Sequence, residues 1–562
     1  MSRGKKTAFL NIKLVNIILS LLFSFAMVAG YQCEHFGYVL PYDPYTYLAM
    51  AGVFILSLFL SAWLYNLIQR RYSIKHSSYN SAHIWLKSSV IIWCFYFIVF
   101  LGVYPGFFVY DAQYELTETI ARNFSNHQPI FHVLYMGGII QAVHKITGDY
   151  NIAIAVFTLA QMTFISIVMG FLVKELNKKT LNTVWSNIFS LYLGIFPVLV
   201  MYALCSAKDG VFAAALMLVF VYVRRIVSDP VSFVKSPVQI VLFVLSSVLM
   251  MLMRSNGMHA YIVFSFIFFI ILLTQDIRRA KDKNTSHLPD NKPENKKSNS
   301  CTSVIILLAC FFSVAIYIVS NKGLLTAVHA SDYGSREMLT VPIQQLARVY
   351  SYEQDQMTGE EIDTLLTYLP ETALSHYNPK CSDLVKLDFN EEAFSKDPAS
   401  FINLWIKLGL KHPVAYINAW FMTSYGMWYP GAVIDGYKGN EVFTFTYGDS
   451  SYFGYETELP GVRDSKIPII DSAYKFLSLD PTIQRIPVMR MIFSPGFMLW
   501  CMLFILGYFL YIKKGQYTVP YLLPLIVILT CLLGPISLVR YSYYLWILVP
   551  IAVMDIIAEK HN

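Results

Sequence analysis

Residues 85–115 read WLKSSVIIWCFYFIVFLGVYPGFFVYDAQYE. The first two-thirds are apolar and long enough to cross a bilayer, whose hydrocarbon core of about 30 Å takes about 20 apolar helical residues. Pro105 and Gly106 break the run, and Asp111 follows within a few residues. A membrane span that ends beside a carboxylate sets the reading of the whole chain.

Working outward, apolar runs lie near residues 8–30, 45–68, 85–105, 150–173, 183–204, 210–224, 236–253, 257–275, 303–320, 492–512, 518–536 and 541–558. They predict an all-α integral membrane protein with about twelve transmembrane helices. Composition agrees. Of the 562 residues 56% are hydrophobic and only 14% charged, and the mean hydropathy is +0.49. Soluble domains hold about 25% charged residues. Aromatics reach 16%, with 39 Tyr and 40 Phe, which suits membrane interfaces and grooves for chain-like ligands.

The charges test the count. Arg3, Lys5 and Lys6 precede the first run, and Arg70, Arg71 and Lys75 follow the second. Lys174, Lys178 and Lys179 follow the fourth, Arg224 and Arg225 the sixth, Arg278, Arg279, Lys281 and Lys283 the eighth, Lys513 and Lys514 the tenth. Every even-numbered exit is basic. The positive-inside rule then puts both termini in the cytoplasm. The net charge of +7 is therefore a topology signal, and no nucleic-acid partner is expected. The apolar stretch after the N-terminal basic residues lacks a clear small-residue cleavage site, so it reads as an uncleaved first span.

The organisation that follows is a two-span hairpin with its cytoplasmic loop (1–84), then a membrane core (85–320) holding a first outer loop (106–149) and a polar, disordered linker (276–302). An extracytoplasmic domain (321–491) and three C-terminal spans (492–562) complete the chain. The outer segment 321–491 carries 14 basic and 21 acidic side chains. Phe401, Leu404, Trp405 and Leu408 repeat at helical spacing behind an Asp397-Pro398 start signal, so the domain reads as mainly helical. The 8 cysteines lie singly at 33, 94, 205, 301, 310, 381, 501 and 531. No zinc or redox spacing is present, and a Cys33–Cys381 disulfide is conceivable because both face outward in this topology.

Chemistry concentrates on the outer turns. Asp111 sits between aromatic rings at the water–lipid boundary, where desolvation raises a carboxyl pKa and suits it to general base catalysis; the plain alternative is a helix cap. Glu115 lies one turn further on. His127, Gln128 and Pro129 open a second apolar helix, expected along the membrane interface. Lys208 and Asp209 mark the turn between the fifth and sixth runs, as a phosphate-holding pair or as a solvated turn. Arg254 and Asn256 mark a third turn, Arg336 and Glu337 a fourth, Arg540 with Tyr541 and Tyr544 a fifth. Guanidinium groups match phosphate oxygens bidentately, although interfacial arginines also snorkel with no ligand at all.

The phrases PGFFVYDAQYE, NHQP, SAKDG, MRSNG and SREMLTVPIQQLARV, in this order across the spans, resemble a bacterial membrane-protein family of uncharacterised activity. The architecture from about residue 85 to the end is similar to the GT-C class of polytopic glycosyltransferases. That class includes protein O-mannosyltransferases and lipid A aminoarabinose transferases. The resemblance implies a sugar moved from a polyprenyl-phosphate carrier, a membrane lipid, to an envelope glycan, lipid or protein acceptor on the outer face. It implies Asp111 as base, with Glu115 as its acidic partner, and Lys208 and Arg254 as phosphate ligands. His127, Gln128, Asp209, Asn256, Arg336, Glu337 and Arg540 would bind or orient substrate. A divalent metal, Mg or Mn, would fall to Asp111 or Asp209. The Asp111–Glu115 spacing departs from the acidic pair usual in the class. Other readings of the same residues are a lipid-linked glycan flippase or transporter, a polysaccharide polymerase or ligase, and a scaffold for envelope assembly.

Overall fold

The computed structural model describes residues 12–70, 81–178, 183–285, 302–436, 454–480 and 482–559. The basic residues at 3, 5, 6, 71, 75 and 179, and positions 286–301 of the linker, lie outside them. Among the described residues the regular structure is helical, and the backbone pairs otherwise only at isolated bridges.

The first helices are α1 (Leu14–Phe36) and α2 (Pro44–Arg70), an antiparallel hairpin, followed by α3 (Ser81–Gly102). Two shorter helices, α4 (Ala112–Ala121) and α5 (Ile130–Thr147), lead into α6 (Tyr150–Asn177). The start of α6 is fixed by Asp149, whose side chain accepts from the backbone N–H of Asn151 at 2.7 Å. Next come α7 (Thr183–Ile195), α8 (Pro197–Leu204) and α9 (Asp209–Ser228). Pro197 lacks the N–H that would continue the ladder, and α8 leaves α7 at 59°. Then follow α10 (Pro230–Val234), α11 (Pro237–Met253), α12 (Ser255–Thr285) and α13 (Thr302–Ala327).

Seven of these helices are long and apolar enough to cross a membrane: α1, α2, α3, α6, α9, α12 and α13. The bent pair α7 and α8 makes an eighth if it is one span. The chain is a multi-pass membrane protein. Shorter apolar helices cover the remaining runs, namely α11 and three near the C-terminus described below. One boundary differs from expectation. Helix α12 continues through Gln275 to Thr285, so the first third of the polar linker is helical; Arg, Lys, Gln and Ala are good helix formers.

A helical cap follows α13. It comprises α14 (Thr340–Glu353), α15 (Gly359–Tyr368), α16 (Glu371–Ser375), α17 (Asp383–Leu387), α18 (Glu391–Lys396), α19 (Pro398–Lys411) and α20 (Pro413–Ser424). It has its own core, with Ile343, Leu346, Leu365, Phe401 and Leu408 buried together. The expected start of α19 is in place: Asp397 accepts from Ser400 N–H at 3.0 Å. After the described stretch of irregular chain come α21 (Pro468–Leu479), α22 (Thr482–Arg485) and α23 (Pro487–Ile492). The last helices are α24 (Pro495–Tyr511), α25 (Leu522–Cys531) and α26 (Leu545–Glu559).

The membrane helices share one core. Helix α3 packs on α6 and α7, α9 on α6 and α11, and α24 on α26. The cap docks on one end of this bundle, where Trp420 Nε1 donates to Leu532 O at 2.8 Å and Ser382 N–H to Pro535 O at 3.0 Å. No Cys33–Cys381 disulfide forms. Both thiols are free and buried, Cys33 among cap residues such as Phe421 and Cys381 beside Ile536 in the main core.

Candidate functional site

The site is assembled by backbone before side chains. After α3 the chain turns at Gly106, whose φ of 130° is open to glycine and rarely to other residues. Phe107 N–H then donates to Leu204 O at 3.1 Å, and Ser206 N–H to Phe107 O at 2.9 Å. This bridge lays the chain after PGFF beside the SAKDG turn. Gly210 in that turn allows the close return of α9 on α8, since a Cβ there would stand 2.5 Å from Tyr202 O. A second bridge, Ser125 with Ser331, ties the loop between α4 and α5 to the segment leading into the cap.

Asp111 occupies the cap position of α4, yet its side chain makes no capping bond. Instead its Oδ2 accepts from Lys208 Nζ at 2.9 Å and from Arg540 Nη2 at 2.9 Å. Arg540 reaches further, with Nε 3.0 Å from Asp209 Oδ2, and Arg254 closes on Asp209 Oδ1. Lys208 also contacts Gln128 Oε1, and its Nζ lies 3.8 Å from Glu115 Oε1. Three carboxylates and three cations thus form one connected network at the cap end. Asp209 is 1% exposed, Lys208 9% and Arg540 7%, whereas Asp111 is 30% exposed. Tyr110 and Tyr541 flank the guanidinium of Arg540 at 4.5 and 5.5 Å, and Arg254 faces Tyr541 at 4.7 Å.

The electrostatics overturn one expectation. Burial does push the Asp111 carboxyl upward, but Lys208 and Arg540 together outweigh it and hold the group well below the usual carboxylate range. In this state Asp111 is an anion shared by two cations and a weak base. Burial likewise works against the charge on Arg540, and Asp209 and Asp111 overcome it. The His127 imidazole is held below the ordinary histidine value by burial, in spite of Glu337 and Asp111 nearby.

The remaining expected residues divide. Glu115 is 1% exposed and pairs with His132 Nδ1 at 2.6 Å, so it meets Asp111 only through Lys208. His127 stacks on Tyr333, centroids 3.8 Å apart, beside the network. Asn256 donates to Thr530 Oγ1 at 3.1 Å and takes no part in it. Arg336 packs over Tyr333 and donates to Leu387 O at 3.1 Å, also outside it. Glu337 binds Lys386 Nζ at 2.7 Å. Sequence reasoning passed over His132 and Lys386. His132 is fully buried and its Nε2 has no hydrogen-bond partner among the described residues. A histidine within the apolar run IFHVLYMGG was the available signal, because ionisable groups in such runs are costly unless partnered. Lys386 gave none, lying in an ordinary polar stretch of the cap.

The expected metal ligands do not fit a metal. Asp209 has both oxygens and Asp111 its Oδ2 against cations, and no group of three or more His, Cys, Asp or Glu suited to an ion occurs among the described residues.

Residues 103–562, nearly the whole chain beyond the N-terminal hairpin, match DUF6020, a family of unknown function. The chain belongs to this family. Every residue of the ion network lies inside the DUF6020 region, whereas α1, α2 and α3 precede it. No curated protein and no solved structure matches the chain.

Proposed function

We propose that this DUF6020 protein is a membrane glycosyltransferase of GT-C-like architecture. It would move a sugar from a polyprenyl-phosphate carrier to an envelope glycan, lipid or protein acceptor. In this reading all twelve apolar segments cross the plasma membrane, both termini are cytoplasmic, and cap and ion network face outward. The observation that carries the reading is the sharing of Asp111 between Lys208 and Arg540, with Arg254 joined through Asp209.

Cations divided among several carboxylates are able to turn to a stronger anion. The donor phosphate takes Lys208, Arg540 and Arg254, matching guanidinium forks to phosphate oxygens. Asp111 then loses the charges that depress its pKa and rises toward an ordinary carboxylate. It accepts the acceptor hydroxyl proton as that oxygen attacks the anomeric carbon. The bond from that carbon to the phosphate oxygen breaks, and the cations stabilise the negative charge on the departing polyprenyl phosphate. His127, beside the network, and Gln128, bonded to Lys208, orient the sugar. Donor binding thus creates the base, and the free enzyme keeps Asp111 unreactive.

The test is transfer in proteoliposomes, with labelled polyprenyl-phosphate sugars offered to wild type and Asp111→Asn. Turnover in wild type that the substitution abolishes supports the proposal. Equal turnover removes Asp111 from the mechanism. Labelled lipid moving across the bilayer without transfer would make the protein a flippase.

A further inference from the structure

Away from the ion network, a cavity of about 570 Å³ opens where the α1–α2 hairpin meets α24. Its walls are apolar: Phe23 from α1, Leu60 and Leu64 from α2, Trp500 and Phe504 from α24. Of the described residues lining it, Arg490 on α23 alone is charged. Among the described residues the Nε of Arg490 is buried without a hydrogen-bond partner, and no described carboxylate lies within ion-pair distance of its guanidinium. From Phe497 to Tyr508 the groove follows three turns of α24, about 16 Å at 1.5 Å per residue. Arg490 lies at the end from which α24 starts, beside Tyr429.

Only 17% of the apolar window of α2 is buried, the smallest share among the seven long helices. Helix α1 meets α24 directly, whereas α2 touches it at few points. The hairpin also lies outside the DUF6020 region, while α24 lies inside it.

We infer that this groove holds one anionic phospholipid, an acyl chain lying along α24 and its phosphodiester accepting from Arg490. One guanidinium matches the single charge of a phosphodiester, in contrast to the three cations gathered at the candidate site. A 16 Å channel suits one acyl chain. The lipid fastens α2 to the family core by filling a wall that protein leaves open.

Native mass spectrometry of the delipidated full chain tests this, with phosphatidylglycerol, phosphatidylcholine or polyprenyl phosphate added back. One phosphatidylglycerol per chain is expected, held about fivefold more tightly than phosphatidylcholine, as one interfacial cation supplies. Arg490→Gln should erase that preference and Arg490→Lys should keep it. Leu60→Trp, which fills the groove, should remove both phospholipids. Equal retention of the two phospholipids by wild type, or an undiminished preference in Arg490→Gln, would overturn the inference. Polyprenyl phosphate displacing phosphatidylglycerol would also overturn it and give the groove to the carrier. If Leu60→Trp fails to fold, the Arg490 pair still decides.

Discussion

The bundle carries an ion cluster at each end, and the two are built differently. At the end away from the cap, Arg224 binds Asp555 with both terminal nitrogens, at 2.6 and 2.9 Å, and Tyr521 Oη donates to the same carboxylate at 2.6 Å. Arg225 binds Glu175 through Nη2 at 2.7 Å and Nε at 3.0 Å. Each arginine there closes a two-nitrogen fork on one carboxylate, although Glu175 also binds Lys178 Nζ at 2.8 Å. At the cap end no cation closes such a fork. Lys208 is divided among Asp111, Gln128 and Glu115, and Arg540 spans Asp111 and Asp209. Closed forks leave little to gain by rearrangement and hold helices together. Divided contacts keep the same charges buried while leaving them open to exchange, and in the proposed mechanism Asp111, the most exposed of the carboxylates, is the edge where exchange begins.

The contrast predicts where function and stability separate. The largest effect belongs to Asp111→Asn, which should lower transfer by about 10²–10⁴-fold, the usual worth of a positioned base. Near wild-type turnover would dissolve the functional half of the comparison. Next, Asp555→Ala should destabilise the protein by about 3–5 kcal/mol by stranding Arg224, with turnover per folded molecule unchanged. Thermal unfolding in detergent reads the first quantity, and activity normalised to folded protein the second. Arg254→Gln should raise the donor KM about tenfold, the loss of one charge-assisted bond, with a smaller change in kcat. A pure kcat effect would separate Arg254 from donor binding.

The smallest effect is in pH. The folded-state pKa of Asp111 is depressed, so its stabilising contribution is present above the unfolded value of about 3.9 and is lost as pH falls toward the folded one. Melting temperature followed from pH 6 downward should therefore fall less steeply below about pH 4 in Asp111→Asn than in wild type. Parallel acid limbs would mean that Lys208 and Arg540 do not hold this carboxylate.

Much of the site was legible because charge beside apolar sequence is costly and so draws notice. Asp111, Lys208, Asp209, Arg254 and Arg540 each stand at the end of an apolar run, and all five meet. Their pairing was not legible. The partners of Asp111 are 97 and 429 residues away in sequence, so the direction of its pKa depends on the fold and inverts the expectation drawn from local aromatic burial. Glu115 was the acidic partner that the resemblance implied for Asp111, at a spacing that departed from the class, and the helix turns it toward His132. The fold read well where composition decides it. It read less well where geometry does: the run at 183–204 looks continuous, and Pro197 breaks it. Asn256 shares a turn with Arg254, and Arg336 stood on an outer turn as the network residues do, yet both pack elsewhere, because an outer turn specifies an end of the bundle and not a contact.

Helix α9 connects the two clusters, with Asp209 at its start and Arg224 near its end. Fifteen residues of α-helix measure about 23 Å, shorter than the hydrocarbon layer of about 30 Å. Both sets of charges therefore do not reach headgroup level around an upright α9 in a membrane of ordinary thickness. Either the bilayer thins beside this helix or one cluster sits sunken, reached by water through a vestibule. Because Asp111 is the more exposed carboxylate, a sunken cluster would take its water at the cap end, and in the proposed mechanism a lipid-borne substrate would meet these charges from the side.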